Sequence, residues 1–230
     1  MANCRTDNTA DNMTMTKNTV VTIRALIPGI DEVIPYTYDS KQYSFREYFN
    51  PIVEHIVNEA PSSERPKLVH MLGIPGAGKT TFYRNHKDEF KDYVLLDFDR
   101  VMEELPEYHH DREKLGRMEA FKKWEIPARI AGYETLRRAV SQKKNIYFDH
   151  GGTPLCHREL LANLKKFGYE TTMYYIDCPV KTANERISNR ERPFPPEQMK
   201  RRAEAIKEQE KVMRKIVDTF IEIDNGQLAV

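Results

Sequence analysis

Residues 71–82 read MLGIPGAGKTTF, and this stretch decides the fold. The run from Gly73 to Thr80 fits the pattern G-x-x-x-x-G-K-[ST] at every position. Glycines let backbone amides converge on a phosphate, and the start of the following helix adds partial positive charge. The motif predicts a phosphate-binding loop (P-loop) between a strand and a helix. Its predicted nucleotide contacts are Gly73, Pro75, Gly76, Ala77, Gly78, Lys79, Thr80 and Thr81.

The alternative interpretation of this segment is an ordinary glycine-rich turn. Such a turn would not require the lysine and the threonine that this loop contains. Lys79 can reach the β- and γ-phosphates of a nucleotide, and Thr80 can offer its hydroxyl to Mg²⁺. The loop therefore predicts a nucleoside triphosphate site with Mg²⁺. We expect ATP rather than GTP, because the sequence contains no Asn-Lys-x-Asp guanine motif.

The composition predicts one sizeable domain with an appendage. Of 230 residues, 40% are hydrophobic and 31% are charged, which allows both a core and good solubility. The formal net charge of +1 gives no overall attraction to nucleic acid or to a membrane. Cys4, Cys156 and Cys178 are too few and too scattered for a disulfide framework. We expect no membrane association and a cytoplasmic location, with non-classical export as an open alternative.

The chain divides into three predicted parts. Residues 1–19 are rich in Asn and Thr and predict a disordered tail. Residues 20–64 predict an N-terminal extension, with a strand at 20–26 and a helix at 43–60 that packs on the main domain, Ser44 being its candidate cap. Residues 65–230 predict the main domain, a P-loop kinase domain on the arguments below.

From Lys67 onward, short apolar runs alternate with helical segments. Because the apolar runs are nearly continuous, they indicate a parallel sheet that is covered on both faces. The predicted fold is a doubly wound α/β fold of the P-loop NTPase type, with a mainly parallel sheet and an arginine-bearing lid. The predicted strands are 67–72, 93–99, 145–152, 171–179 and 220–226, and helices are predicted at 80–90, 158–168, 180–191 and 197–220.

Acidic residues end two of these predicted strands. Since the carboxyl ends of strands in a doubly wound sheet face the ligand crevice, we expect Asp97, Asp99 and Asp149 beside the P-loop. Asp99 is the candidate base for an acceptor hydroxyl, and Asp97 is a candidate substrate contact. Asp149 is a candidate contact to Mg²⁺ or to the acceptor. Helix capping and a simple turn are the alternatives for these acids.

Basic residues precede a proline-rich break. Arg186, Arg190 and Arg192 predict a lid that neutralises charge on the transferring phosphoryl group, and Arg190 is counted among the catalytic candidates. A solvated helix face is the alternative. The basic run 200–202 on the next helix is predicted to be solvated surface.

The same loop serves GTPases, ATPase machines and kinases. The chain is short for a motor, and it contains the base, the Mg²⁺ support and the positive charge that a small kinase needs. The sequence therefore predicts a phosphotransferase with a hydroxyl acceptor. A nucleotide-gated binding protein without catalytic activity is the alternative from another class.

The order and spacing of these motifs resemble the zeta toxin family, P-loop kinases of bacterial toxin–antitoxin systems. The resemblance covers about residues 67–202, through GIPGAGKTT, LLDFDRVMEELPEY, AGYETLRRAV, FDHGGT, GYETTMYYIDCP and ERISNRE. It implies that Lys79 and Thr80 bind ATP and Mg²⁺ and that Asp99 is the catalytic base. It also implies an acid near the sugar nucleotide at Glu134, and ATP-phosphate contacts from Arg190 and Arg192.

The family phosphorylates the 3′-hydroxyl of UDP-N-acetylglucosamine, so the resemblance implies a nucleotide or nucleotide-sugar acceptor. It also implies an inhibitory antitoxin or immunity protein as a partner.

This chain departs from the family pattern at positions that handle the acceptor. Asp149 stands where the family has a glutamate, and Met102 stands where the family has a basic residue. The basic residue expected after the third strand is replaced by 154–155 (Pro-Leu), which leaves Arg158 as the nearby candidate substrate contact. The runner-up resemblance is the phage-type polynucleotide 5′-kinase, under which the partner would be nucleic acid. The near-neutral charge of the chain disfavours that alternative.

Overall fold

The computed structural model describes residues 21–27, 36–38, 41–43, 45–151, 156–188 and 195–226. The predicted tail, the predicted cap Ser44 and the lid residues Arg190 and Arg192 lie outside these ranges. The helices are α1 Ile23–Leu26, α2 Phe45–Asn58, α3 Lys79–Asn85, α4 Phe98–Glu103, α5 Pro106–Leu115, α6 Arg117–Ser141, α7 Cys156–Lys166, α8 Val180–Ser188 and α9 Pro196–Ile216. The strands are β1 Tyr36–Tyr38, β2 Lys41–Tyr43, β3 Lys67–Leu72, β4 Tyr93–Leu96, β5 Asn145–Phe148, β6 Glu170–Asp177 and β7 Thr219–Asp224.

Five strands form one parallel sheet in the order β4-β5-β3-β6-β7. The P-loop strand β3 is central, and Leu68, Met71 and Leu72 on it are fully buried. Its two neighbours lie on opposite sides and come later in the chain, so the order of strands reverses at β3. A crevice opens at the carboxyl ends of the strands at such a switch point, and this is where ligands bind in doubly wound sheets. The predicted P-loop NTPase-type fold is confirmed.

The N-terminal extension packs through short helices. Residues 20–26 were expected to form a strand, and this expectation is wrong: α1 forms instead, with the Thr22 hydroxyl accepting a hydrogen bond of 3.0 Å from the Ala25 amide. That cap stabilises a helical turn over a strand that has no partner. Helix α2 packs against α6 and the edge strand β4, and it buries Phe49, Val53 and Ile56.

Two predicted boundaries differ in ways that concern the site. Strand β4 ends at Leu96 rather than Asp99, and Asp97 becomes the N-cap of α4. The helix expected at 80–90 ends at Asn85. Across the described ranges, no helix combines the length and the apolar composition that crossing a bilayer requires.

Candidate active site

The P-loop backbone takes conformations that glycine alone adopts without strain. Gly76 has a φ of 80° and Gly78 a φ of 105°. A Cβ on Gly76 would lie 2.5 Å from the carbonyl oxygen of Ala183 on α8, and a Cβ on Gly78 would lie 2.4 Å from Nδ2 of Asn225. Both glycines are therefore needed for backbone conformation and for close packing, as expected of a loop that wraps a phosphate.

Two cations contact carbonyl groups of this loop. The Lys79 ammonium donates to the carbonyls of Gly73 (2.8 Å) and Ile74 (3.1 Å), so it lies over the loop where phosphates would bind. Arg186 on α8 donates to the carbonyls of Gly76 (3.5 Å) and Ala77 (3.4 Å). The structure thus places Arg186 beside the P-loop, and its predicted role toward the phosphates stays a prediction.

A cavity of about 270 Å³ opens beside the loop at the carboxyl ends of β3, β4 and β5. Its phosphate end is formed by Gly73, Pro75, Lys79 and Thr80. All three predicted strand-end carboxylates line it as well: Asp97, Asp99 and Asp149. The sequence prediction that these acids converge beside the P-loop agrees with the structure.

Burial and neighbouring charges raise the pKa values of two of these carboxylates, Asp97 and Asp149. Burial, followed by the charges of Asp149 and Asp99, raises the pKa of Asp97 to about 7. The pKa of Asp149 is also raised, mainly by burial, with Lys79 opposing the shift. Asp97 also accepts a hydrogen bond of 2.9 Å from the Asp99 amide. Asp97 is therefore a helix cap, as the alternative interpretation had it, and it also lines the cavity.

An aromatic contact fixes the turn that carries these acids. Phe98, between the two aspartates, packs edge-on against Tyr133 of α6 with ring centroids 5.1 Å apart. Gly132 makes room for it, since a Cβ there would lie 2.3 Å from the Phe98 ring. The turn 97–99 is therefore fixed by packing against α6.

Two further basic residues of the cavity lining were not predicted from the sequence. Arg129 of α6 and Arg202 of α9 both line the cavity, together with Glu125. The expectation that 200–202 is solvated surface is therefore wrong for Arg202. A signal was present, because Arg202 falls on the same helical face as the buried residues Met199, Ile206, Gln209 and Met213.

Neutral histidines lie behind the acids. His70 donates from Nδ1 to the Met71 carbonyl (2.7 Å), because a carbonyl only accepts. Burial lowers the pKa of His70 to about 4, so its Nε2 accepts from His157 Nδ1 (2.9 Å). The remaining His157 nitrogen accepts from the Tyr133 hydroxyl (3.4 Å). His150 lines the cavity with its ring 4.7 Å from that of His157, and burial lowers its pKa as well.

Two predicted substrate residues are not in the cavity lining. Glu134 lies about half a helical turn around α6 from Glu125, and its carboxylate binds Arg137 (2.6 and 2.8 Å) and Arg138 (2.9 Å). Arg158 donates instead to Gln209 of α9 (2.7 Å). Glu134 therefore bonds within α6 and Arg158 joins α7 to α9, so the structure brings neither of them into the cavity lining with Asp99.

The donor set suits a magnesium nucleotide rather than a protein-only metal centre. Within the described ranges, no three His, Cys, Asp or Glu side chains are grouped closely enough to hold a metal ion. Mg²⁺ in such sites keeps water and phosphate ligands and takes only one or two groups from the protein. Thr80 and Asp149, which both line the cavity, fit that requirement.

Comparisons with known proteins agree with this architecture. A structure titled as the PezAT chromosomal toxin–antitoxin system of Streptococcus pneumoniae is similar, with a TM-score of 0.67, 17% identity, and 85% of this chain and 81% of that chain covered. Deoxyadenosine kinase from M. mycoides is more distant, with a TM-score of 0.42, 18% identity, and coverage of 70% and 92%. A search of curated proteins found no match. The sequence model described as zeta toxin matches residues 50–230, most of the chain, and the chain belongs to the zeta toxin family.

Proposed function

We propose that this chain is an ATP-dependent kinase that phosphorylates a hydroxyl of a nucleotide-containing small molecule, with UDP-N-acetylglucosamine as the first candidate acceptor. Membership of the zeta toxin family supports a P-loop kinase. The observation that carries the proposal is the convergence of Lys79, Thr80, Asp99 and Asp149 on one cavity. These groups supply phosphate binding, metal support and a base, which are the parts that phosphoryl transfer needs.

Each residue has a separate role in the proposal. Asp99 accepts the proton of the acceptor hydroxyl. The hydroxyl oxygen bonds to the γ-phosphorus while the bond between that phosphorus and the ADP oxygen breaks. Lys79 stabilises the negative charge of the transferring group, and Arg186 holds the loop that binds the phosphates. Thr80 and Asp149 would hold Mg²⁺, which neutralises phosphate charge when it is bound. Arg190 and Arg192 remain proposed ATP contacts.

The experiment incubates the pure chain with γ-labelled ATP and Mg²⁺. One arm contains UDP-N-acetylglucosamine and related sugar nucleotides, and the other contains oligonucleotides with 5′-hydroxyl ends. We expect label on the sugar nucleotide. Label on the oligonucleotide would support the alternative of a polynucleotide kinase. ATP binding without label on any acceptor would favour a nucleotide-gated binding protein.

The variant Asp99→Asn separates a kinase from a binder. A lost general base costs about 10²–10⁴-fold in turnover, while ATP binding should stay within about threefold. Asp88→Asn is the matched control, because Asp88 is exposed and lies outside the cavity lining. Full turnover by Asp99→Asn would refute the role of Asp99.

We also propose an inhibitory antitoxin partner, supported by the family and by the toxin–antitoxin system named for the similar structure. The test is whether a protein encoded beside this chain suppresses the labelled transfer at equimolar concentration. Undiminished transfer by the stoichiometric complex, or no complex at all, would count against it.

A further inference from the structure

We propose that Asn225, the residue after β7, is a positioning residue of the P-loop that turns the backbone amide of Gly78 toward the phosphates of the nucleotide. The inference rests on the nucleotide site of the proposed function and deepens it, because it assigns a residue that controls phosphate affinity. Asn225 comes 148 positions after Ala77, and its side chain reaches the loop from the edge strand of the sheet.

One hydrogen bond joins the Asn225 side chain to the loop. Its Nδ2 donates to the Ala77 carbonyl at 2.6 Å, and the side-chain nitrogen must face the loop because a carbonyl only accepts. Arg186 donates to the same carbonyl at the longer distance of 3.4 Å. Asn225 therefore makes the closer of these two contacts with the Ala77 oxygen.

This hydrogen bond fixes the direction of a peptide unit. The Ala77 carbonyl and the Gly78 amide belong to one planar trans unit, so the C=O and N–H bonds point in opposite directions. With the Ala77 oxygen held toward Asn225, the Gly78 N–H is directed away from Asn225. Phosphate-binding loops bind their ligand through such amides, so the direction of this N–H decides whether it donates to a phosphate.

Gly78 needs this restraint because a glycine rotates easily. Its φ is 105°, and a Cβ at this position would lie 2.4 Å from Nδ2 of Asn225, so the asparagine occupies the space beside it. Glycine has many backbone conformations to lose when a ligand binds. A contact that already selects one conformation in the free protein lowers that cost and raises affinity.

The backbone of Asn225 is held independently of its side chain. Its N–H donates to the Asp177 carbonyl at the end of β6 (2.8 Å), and its own carbonyl accepts from Arg186 (3.3 Å). These bonds remain when the side chain is shortened. A substitution of Asn225 should therefore act on the loop rather than on the pairing of β6 with β7.

Phosphate binding to the full chain tests the inference. Inorganic triphosphate and a non-hydrolysable ATP analogue are titrated with Mg²⁺ by calorimetry. We expect Asn225→Ala to bind both probes about tenfold more weakly, since a hydrogen bond to a charged group is weakened. Asn225→Asp should bind at least as weakly, because an ionised carboxylate cannot donate to the Ala77 carbonyl. Unchanged affinities in Asn225→Ala, or a wild type that binds neither probe, would overturn the inference.

Asn163→Ala is the matched control. The Asn163 side chain also donates to a backbone carbonyl, that of Leu26 (3.1 Å), but it joins α7 to α1. This variant should lower the urea midpoint by an amount similar to that of Asn225→Ala and leave both phosphate affinities unchanged. An equal loss of affinity in the two variants would indicate general destabilisation and overturn the inference.

The Gly78 amide gives a spectroscopic readout that a purely structural role would not change. In ¹⁵N-labelled wild-type chain, saturating triphosphate should move the Gly78 proton resonance downfield, as a hydrogen bond to phosphate forms. The shift at saturation should be smaller in Asn225→Ala and unchanged in Asn163→Ala. Identical shifts in wild type and Asn225→Ala would overturn the inference.

Turnover distinguishes this inference from the proposed function. In Asn225→Ala the KM for ATP should rise about tenfold while the KM for the acceptor stays at the wild-type value. If label transfer occurs and the KM for ATP is unchanged, the role of Asn225 is wrong and the kinase stands. If no acceptor is labelled but triphosphate binding depends on Asn225, the positioning role stands and the proposed function fails.

Discussion

The two ends of the cavity are built in different ways. The phosphate end comes from one continuous segment, 73–80, whose backbone conformation and helix start create the binding surface. The other end, which is the proposed acceptor end, collects side chains from α4, α6, α9 and the carboxyl end of β5. A backbone-built site depends on glycines and local geometry, whereas a side-chain-built site depends on how distant helices pack. The two ends should therefore respond differently to substitution.

Lys79→Ala should have the largest effect and should leave the fold intact. The lysine donates to loop carbonyls at 2.8 and 3.1 Å, and in the proposed mechanism its charge stabilises the transferring group. Loss of such a group costs about 10²–10³-fold in turnover. Labelled transfer is the measurement, with the exposed Lys87→Ala as control. An active Lys79→Ala enzyme would exclude the mechanism.

Gly76→Ala should break the phosphate end through its backbone. A Cβ would lie 2.5 Å from the Ala183 carbonyl at a φ of 80°, so we expect a loss of more than about 3 kcal/mol in unfolding free energy and at least about tenfold in ATP affinity. Gly168→Ala is a close control, because its φ is 83° with nothing within 4 Å.

The control should cost only about 1 kcal/mol, the strain of the left-handed conformation alone. Urea unfolding and calorimetric ATP binding measure both effects. Equal losses in the two variants would mean that backbone strain, rather than contact with α8, controls the loop.

Glu134→Gln defines the outer limit of the acceptor end. The Glu134 carboxylate is buried and shared by Arg137 and Arg138, so its neutralisation should reduce the unfolding free energy by about 2 kcal/mol. The KM for the acceptor should not change, because Glu134 is outside the cavity lining. Glu54→Gln is the control: Glu54 is an exposed partner of Arg138, and its loss should cost less than about 0.5 kcal/mol. A raised acceptor KM in Glu134→Gln would restore Glu134 as a substrate residue.

Asp97→Asn should have the smallest effect, and that effect should depend on pH. The pKa of Asp97 is raised to about 7, so the folded chain keeps a proton that the unfolded chain releases near pH 4. Wild-type stability therefore falls as pH rises from about 4 to 7, and the asparagine variant escapes that loss while keeping the cap.

We expect the variant to gain about 1–2 kcal/mol over wild type between pH 4.5 and pH 8, measured by urea unfolding in EDTA. The exposed Asp88→Asn controls for the change in net charge. A difference between variant and wild type that does not change with pH would show that Asp97 titrates normally.

The fold and the phosphate end follow from local sequence signals. Buried parallel strands have continuous apolar runs, and the P-loop has a contiguous motif, so both could be predicted. Asp97, Asp99 and Asp149 could be predicted because strand ends converge at one edge of the sheet. The residue at which the strand ends and helix α4 begins could not be predicted, because helix capping by Asp97 competes with extension of the strand there.

The acceptor wall depends on helix packing, which local patterns describe poorly. Arg202 was assigned to solvent because it lies in a basic run, yet helical periodicity puts it on the buried face of α9. The motif match predicts Glu134 at the substrate. The direction of its side chain instead follows from its angular position on α6, where it meets Arg138. Helical periodicity applied to each charged residue, rather than to a run of residues, would have predicted the positions of both side chains.

The hydrogen-bonded chain from Tyr133 through His157 and His70 to the Met71 carbonyl has a consequence for kinetics. Each imidazole in it is held neutral in one tautomer, and burial lowers the pKa values of His70, His150 and His157 out of the physiological range. The imidazoles beside the reacting groups then neither buffer nor exchange protons during turnover at neutral pH. We therefore expect the Asp97 carboxyl, whose pKa is raised to about 7, rather than these imidazoles, to contribute a protein inflection near pH 7 to the pH–rate profile.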